Sequence, residues 1–206
     1  MKKSIKIALI CVLLVGSGAA AFWVLDAEPQ AGINNGGRDL EQLFEKLEVV
    51  RIPSGTHAVD VRLPDLNGMQ VGLSDFRGKI VFLNFWATWC PTCVTEMPAM
   101  EKLNRKLKNK DFAMVAISLQ DSAEQVKSFF EKNKLTFTAL LDSTGEMTAR
   151  FGLRVIPTTI IIDKTGQALG IVLGPREWDS SESVALFEHL ADNQAIIPTA
   201  AAADPG

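Results

Sequence analysis

The chain has 206 residues, 47% apolar and 22% charged, which suits one globular domain with appendages rather than two full domains. Its formal charge of −3 leaves no basic surplus for gripping phosphates, and neither G-x-G-x-x-G nor G-x-x-x-x-G-K occurs, so nucleic acid is set aside as a partner. Three cysteines, Cys11, Cys90 and Cys93, do not make a disulfide-stapled scaffold.

Lys2, Lys3 and Lys6 precede an apolar stretch from Ile7 to Leu25, and Asp26 and Glu28 follow it. At 1.5 Å per residue the stretch spans about 28 Å, close to the hydrocarbon thickness of a bilayer. Positive charge before it and acid after it predict a cytoplasmic N-terminus and an exported remainder. Residues 1–25 therefore read as a signal anchor. The alternative is a cleaved signal peptide, with Ile7 to Val15 as its apolar region and Ala19-Ala20-Ala21 as the cleavage site. Phe22-Trp23-Val24-Leu25 keeps the segment apolar past that cut, which favours the anchor. Cys11 reads as an apolar filler, and Ile10 before it is too large for a lipoprotein processing site.

Residues 26–55 read as a linker with a short amphipathic helix. Asn34-Asn35-Gly36-Gly37 belongs to its spacer, and Asp39 caps the helix with Gln42 at the capping-box position. Leu40, Leu43, Phe44 and Leu47 form one apolar stripe that packs on the domain or docks a partner. The main domain spans 56–192. Val59, Val61 and Leu63 alternate as a strand, and Asn67-Gly68 turns it into a hairpin with 69–71. The nearly continuous apolar run 80–86 reads as a strand covered on both faces. A helix over 91–107 follows, kinked at Pro98. Next come a strand (112–118), a helix (123–132), a strand (137–141), a short helix (144–151) and a strand (159–162). A turn at 164–166 leads to a final strand (168–173), and a helix over 182–190 ends the domain. Residues 193–206, rich in Ala, read as a disordered tail. This order predicts an α/β fold, a central mixed sheet with helices on both faces.

Cys90-Pro91-Thr92-Cys93 sits where a strand-loop opens a helix, with Pro91 at the first helical position. A Cys90 thiolate there faces free N–H groups and the positive end of the helix dipole, which lower a thiol's pKa. Cys93, one turn on, is more covered. An exposed, acidified sulfur that attacks and a nearby sulfur that resolves are what thiol–disulfide exchange needs. A zinc half-site would need two more ligands, and His57 and His189 are unpaired and far apart in sequence. An inert structural disulfide over so short a loop would constrain the unfolded chain little.

Asn84-Phe85-Trp86-Ala87-Thr88-Trp89-Cys90-Pro91-Thr92-Cys93 followed by Glu96-Met97-Pro98 resembles the active site of the thioredoxin-like TlpA/ResA/CcmG family. The stretches 63–68, 73–79, Val155-Ile156-Pro157-Thr158-Thr159 and 162–166 are similar to other family motifs, so the resemblance covers residues 56 to 192. It implies a thioredoxin-like fold and an extracytoplasmic thiol–disulfide oxidoreductase, with no cofactor and no metal. Cys90 would attack, Cys93 would resolve, and Trp89 would shield the pair. Pro91 and Thr92 would lie at the substrate surface. Pro157 would be cis, and Ile156 would offer backbone hydrogen bonds to an extended substrate peptide. Glu96 would tune the pair and shuttle a proton, its bland alternative being a solvated surface charge. Where many cytosolic thioredoxins carry a strand acid, this chain has Asn84, which leaves proton transfer at Cys93 to Glu96 or water. Trp178 reads as packing.

Three functions follow as expectations. The first is a disulfide reductase fed by a membrane electron-donor protein, anchored in a bacterial inner membrane with its domain on the periplasmic side, or soluble there after cleavage. The Pro91-Thr92 dipeptide resembles that of reductases of cytochrome c maturation, whose targets are apocytochrome haem-binding cysteines. The second is an oxidase or isomerase of the same fold, and the third a non-catalytic docking module. Peroxidase chemistry is a minor fourth, since peroxidatic relatives do not use a C-x-x-C at this helix start.

Overall fold

The computed structural model describes residues 35–193. The apolar stretch 7–25, with Cys11, the spacer to residue 34 and the tail from 194 lie outside the described residues. No helix among the described residues is long and apolar enough to cross a membrane.

The first helix, α1, spans Asn35–Lys46. It starts four residues before the expected cap, so Asp39 sits inside it and is not a cap. Docking explains the difference: Leu40, Phe44 and Leu47 are buried against the domain, and tertiary burial outweighs the poor helix propensity of Gly36 and Gly37. A two-residue strand β1 (Val50–Arg51) follows and pairs antiparallel with the last strand of the sheet. Residues 35–51 thus pack as part of the domain, and the expected linker is structured over that stretch.

The hairpin of β2 (Arg62–Pro64) and β3 (Gln70–Gly72) stands apart from the main sheet. Its first strand is shorter than the alternation from Val59 predicts, and a 3-10 turn over Leu73–Phe76 follows. Then come β4 (Ile80–Trp86), α2 (Pro91–Lys106), β5 (Phe112–Leu119), α3 (Ala123–Asn133), β6 (Thr138–Asp142) and α4 (Glu146–Arg150). The chain closes with β7 (Thr158–Ile162), β8 (Ala168–Leu173) and α5 (Ser181–Asp192). Helix α2 is a single element through Pro98.

The six-stranded sheet runs β1-β8-β7-β4-β5-β6, with β4, β5 and β6 parallel and β7, β8 and β1 added antiparallel. This is the expected mixed sheet. Its faces are covered unequally: α1, α2, α3 and α5 share one core, while α4, the 3-10 turn and the hairpin cover the other. All seven residues of β4 are buried, and strand alternation divides them. Val81, Leu83 and Phe85 face α4, and Ile80, Phe82 and Trp86 face α2. Asn84 falls in the second set, so the period of two aims a buried amide at the helix that carries the cysteines.

Candidate active site

Strand β4 ends at Trp86, and a short loop brings Cys90 to the N-cap of α2 with Pro91 at its first position. Cys90 and Cys93 form a disulfide, their Cα atoms 5.3 Å apart. The Cys93 N–H donates to Cys90 Sγ at 3.2 Å, the contact expected of a sulfur at a helix start. Cys90 keeps 6% of its surface exposed and Cys93 none, so only Cys90 offers an edge to a partner. Thr92 Oγ1 lies 3.4 Å from Cys90 Sγ, and the Ile156 carbonyl oxygen lies 4.0 Å from it. Ile156–Pro157 is a cis peptide bond, and it leads directly into β7. Trp89 is 59% exposed beside the pair, and Pro91 and Thr92 are also exposed, whereas Pro157 is buried. Of the sequence-predicted residues, Cys93, Thr92 and Ile156 thus meet the Cys90 sulfur directly.

Glu96 is not a solvated surface charge. It lies one turn beyond Cys93 on the buried side of α2, with 3% of its surface exposed. Oε1 accepts from Asn84 Nδ2 at 3.0 Å. Oε2 accepts from Trp178 Nε1 at 2.8 Å and from the Arg176 N–H at 3.2 Å. Burial pushes the carboxyl up to about 7, against the opposing pull of these three donors and of the Arg176 charge. Such a carboxyl exchanges a proton near neutral pH.

The strand period explains Asn84. Its cross-strand partner is Thr159, and Asn84 Nδ2 also donates to Thr159 Oγ1 at 3.0 Å. A carboxylate in place of Asn84 would put two acids face to face, whereas an amide donates to Glu96. Trp178, which the sequence suggests as packing only, is fully buried and is also a donor to the site. No local pattern marks it as a donor, because its acceptor lies 82 residues away in the chain.

A second buried carboxylate holds the loop before Cys90. Asp121, 2% exposed, accepts from the Thr88 N–H at 2.8 Å, from Thr88 Oγ1 at 2.6 Å and from Ser118 Oγ. Trp89 and Cys90 follow directly from this anchor. Nothing in the sequence pattern singles Asp121 out. Among the described residues no group of three or more His, Cys, Asp or Glu could hold a metal ion. His57 bridges to Gln167 and His189 sits in the last turn of α5.

The AhpC/TSA family profile matches residues 54–168. The thiol-disulfide oxidoreductase ResA of Bacillus cereus (strain ATCC 10987 / NRS 248) is 32% identical over 182 residues, 88% of this chain and 95% of that protein. The thioredoxin-like protein YneN of Bacillus subtilis (strain 168) is 42% identical over 141 residues, 67% of this chain and 81% of that protein. Among solved structures, a thiol:disulfide interchange protein of the thioredoxin family from Chlorobium tepidum TLS superposes with a TM-score of 0.57 at 25% identity. That match covers 66% of this chain and 97% of the other.

Proposed function

Because the chain belongs to the AhpC/TSA family and is a thiol–disulfide oxidoreductase of thioredoxin-like fold, we propose that it works as a disulfide reductase outside the cytoplasm. Reduced Cys90 attacks one sulfur of a substrate disulfide, forming a mixed disulfide and expelling the other substrate sulfur as a thiolate. Cys93, as thiolate, then attacks Cys90 Sγ. The Cys90–Cys93 bond forms, the mixed disulfide breaks, and the substrate leaves as a dithiol that has gained two electrons and two protons. Glu96 takes the proton that Cys93 must lose. The substrate peptide lies along Ile156 and Pro157 beside Trp89, Pro91 and Thr92.

One observation carries the reductive direction: the ionisable group buried below the pair is a carboxyl, not a cation. A strongly oxidising disulfide needs a reduced form stabilised by an acidified thiolate. Among the described residues no Lys, Arg or His hydrogen-bonds either sulfur, and an ionised Glu96 disfavours a second negative charge on Cys93. The proposal includes a membrane electron-donor protein that restores the dithiol. It includes anchoring through 7–25 and a periplasmic position for the domain. Apocytochrome c haem-binding cysteines are the proposed target.

The test is the reduction potential of the Cys90–Cys93 pair. A value near or below about −270 mV is expected, and a value near about −120 mV would make the protein a disulfide donor instead.

A further inference from the structure

Arg176 touches two places at once. Its peptide N–H donates to Glu96 Oε2, the oxygen that also accepts from Trp178. Its side chain points to the N-terminal segment: Nε donates to the Leu47 carbonyl at 3.3 Å, and Nη2 pairs with the Glu48 carboxylate. Nη1 donates back to the Pro175 carbonyl at 2.9 Å, so the guanidinium is spread over its own loop and the turn between α1 and β1. That turn is itself a defined conformation, since Glu48 adopts a left-handed φ of 53° that residues other than glycine rarely take.

Resting on the reading of Glu96 as the proton-handling group, we propose that Arg176 is a positioning residue through which the α1–β1 turn sets the hydrogen bonding of Glu96. The turn holds the guanidinium, the guanidinium fixes the backbone of residues 175–177, and that backbone aims its N–H at Oε2. A lysine cannot reproduce the arrangement, because a single ammonium lacks the planar fork that reaches the Leu47 and Pro175 carbonyls and the Glu48 carboxylate together. The link makes the state of the N-terminal segment legible at Glu96.

The consequence is a shift in proton affinity. The N–H bond and the Arg176 charge both favour ionised Glu96, so loosening Arg176 raises its midpoint. The remaining groups bearing on Glu96 are the neutral donors Asn84 and Trp178, together with Cys93 one turn back on α2, which titrates only when reduced. Glu48 is the acid that faces Arg176 from the α1–β1 turn.

The experiment titrates the Glu96 carboxyl in the oxidised full-length chain by infrared difference spectroscopy, its band assigned by its loss in Glu96→Gln. Arg176→Met is expected to raise the midpoint by roughly one unit, the size of one hydrogen bond to a charged group. Glu48→Ala is expected to raise it by less, and to add nothing in the Arg176→Met background. Simple removal of the Glu48 charge would lower the midpoint, so the sign separates positioning from through-space electrostatics. An unmoved midpoint in Arg176→Met, with only the unfolding midpoint lowered, would reduce Arg176 to a stabilising contact and overturn the proposal. If Arg176→Met does not fold, Glu48→Ala decides: a raised midpoint supports the link, and an unchanged or lowered one overturns it. A wild-type Glu96 that does not titrate near neutral pH overturns the reading on which the proposal rests.

Discussion

The Trp178 indole N–H donates to Glu96 Oε2 at 2.8 Å, joining residues 82 apart in the chain. The indole lies edge-on to Phe82 at 4.7 Å between ring centroids, so its position is set by the same core face that carries Asn84. The carboxyl one turn beyond Cys93 is therefore held from two other segments, β4 and the loop before α5.

Trp178→Phe keeps most of the ring and removes the donor. Its cost should be about 1–3 kcal/mol at pH 8, where ionised Glu96 has lost a hydrogen bond, and smaller at pH 5, where the carboxyl is protonated. Urea unfolding at the two pH values checks this, and an equal loss at both would assign the whole effect to packing.

Glu96 also imposes a sign on stability. Its folded-state value of about 7 lies above its ordinary 4.5, so between these values the folded chain binds the extra proton. Stability on its account is complete below about pH 4.5, falls as pH rises through 7, and is then about 3 kcal/mol lower. Glu96→Gln should remove this slope from the oxidised protein. Parallel stability profiles for wild type and variant would contradict it.

Asp121→Ala orphans the Thr88 N–H, the Thr88 hydroxyl and the Ser118 hydroxyl in a nearly closed site. A loss of about 3 kcal/mol is expected, with faster hydrogen exchange at the Thr88 amide. Asp121→Asn, which keeps one acceptor oxygen, should lose less. Unchanged exchange at Thr88 in both variants would show that the loop is held by something else.

Gly170 of β8 pairs with Arg51 of β1 and faces the N-terminal segment without a side chain. A Cβ there would lie 2.4 Å from Val49 Cγ1 and 3.1 Å from the Val50 carbonyl oxygen. Gly170→Ala should cost about 1–3 kcal/mol by forcing β1 outward. Adding Val49→Ala should recover part of the loss in the unfolding midpoint; no recovery would place the strain elsewhere.

Local features were legible where a pattern carries them. The apolar run of β4, Pro91 after Cys90, and the Asn67-Gly68 turn each predict their element, because buried strands, helix starts and hairpins have short-range signatures. The four-residue miss at the start of α1 and the unforeseen β1 share one cause: both form on surfaces supplied by α5 and β8, which lie more than a hundred residues away. Cys90, Cys93 and Glu96 stand out within a few residues of one another. Asn84 is marked in the sequence only as a missing acid, and its contact with Glu96, like those of Arg176 and Trp178, forms only after the sheet and α5 have assembled.

The same N-terminal segment gives the sheet a further property. Along β8, Ile52 donates to Leu169, Ala168 to Thr56 and Ala58 to Gly166, continuing the line that β1 begins. At the opposite flank, the Asp65 bridge to Leu140 lays the hairpin against β6. The β6 flank is thus met by a piece of its own chain, while β1 and the residues that continue it form the other margin of the sheet. An added strand would therefore find its open ladder on the N-terminal segment rather than on β8.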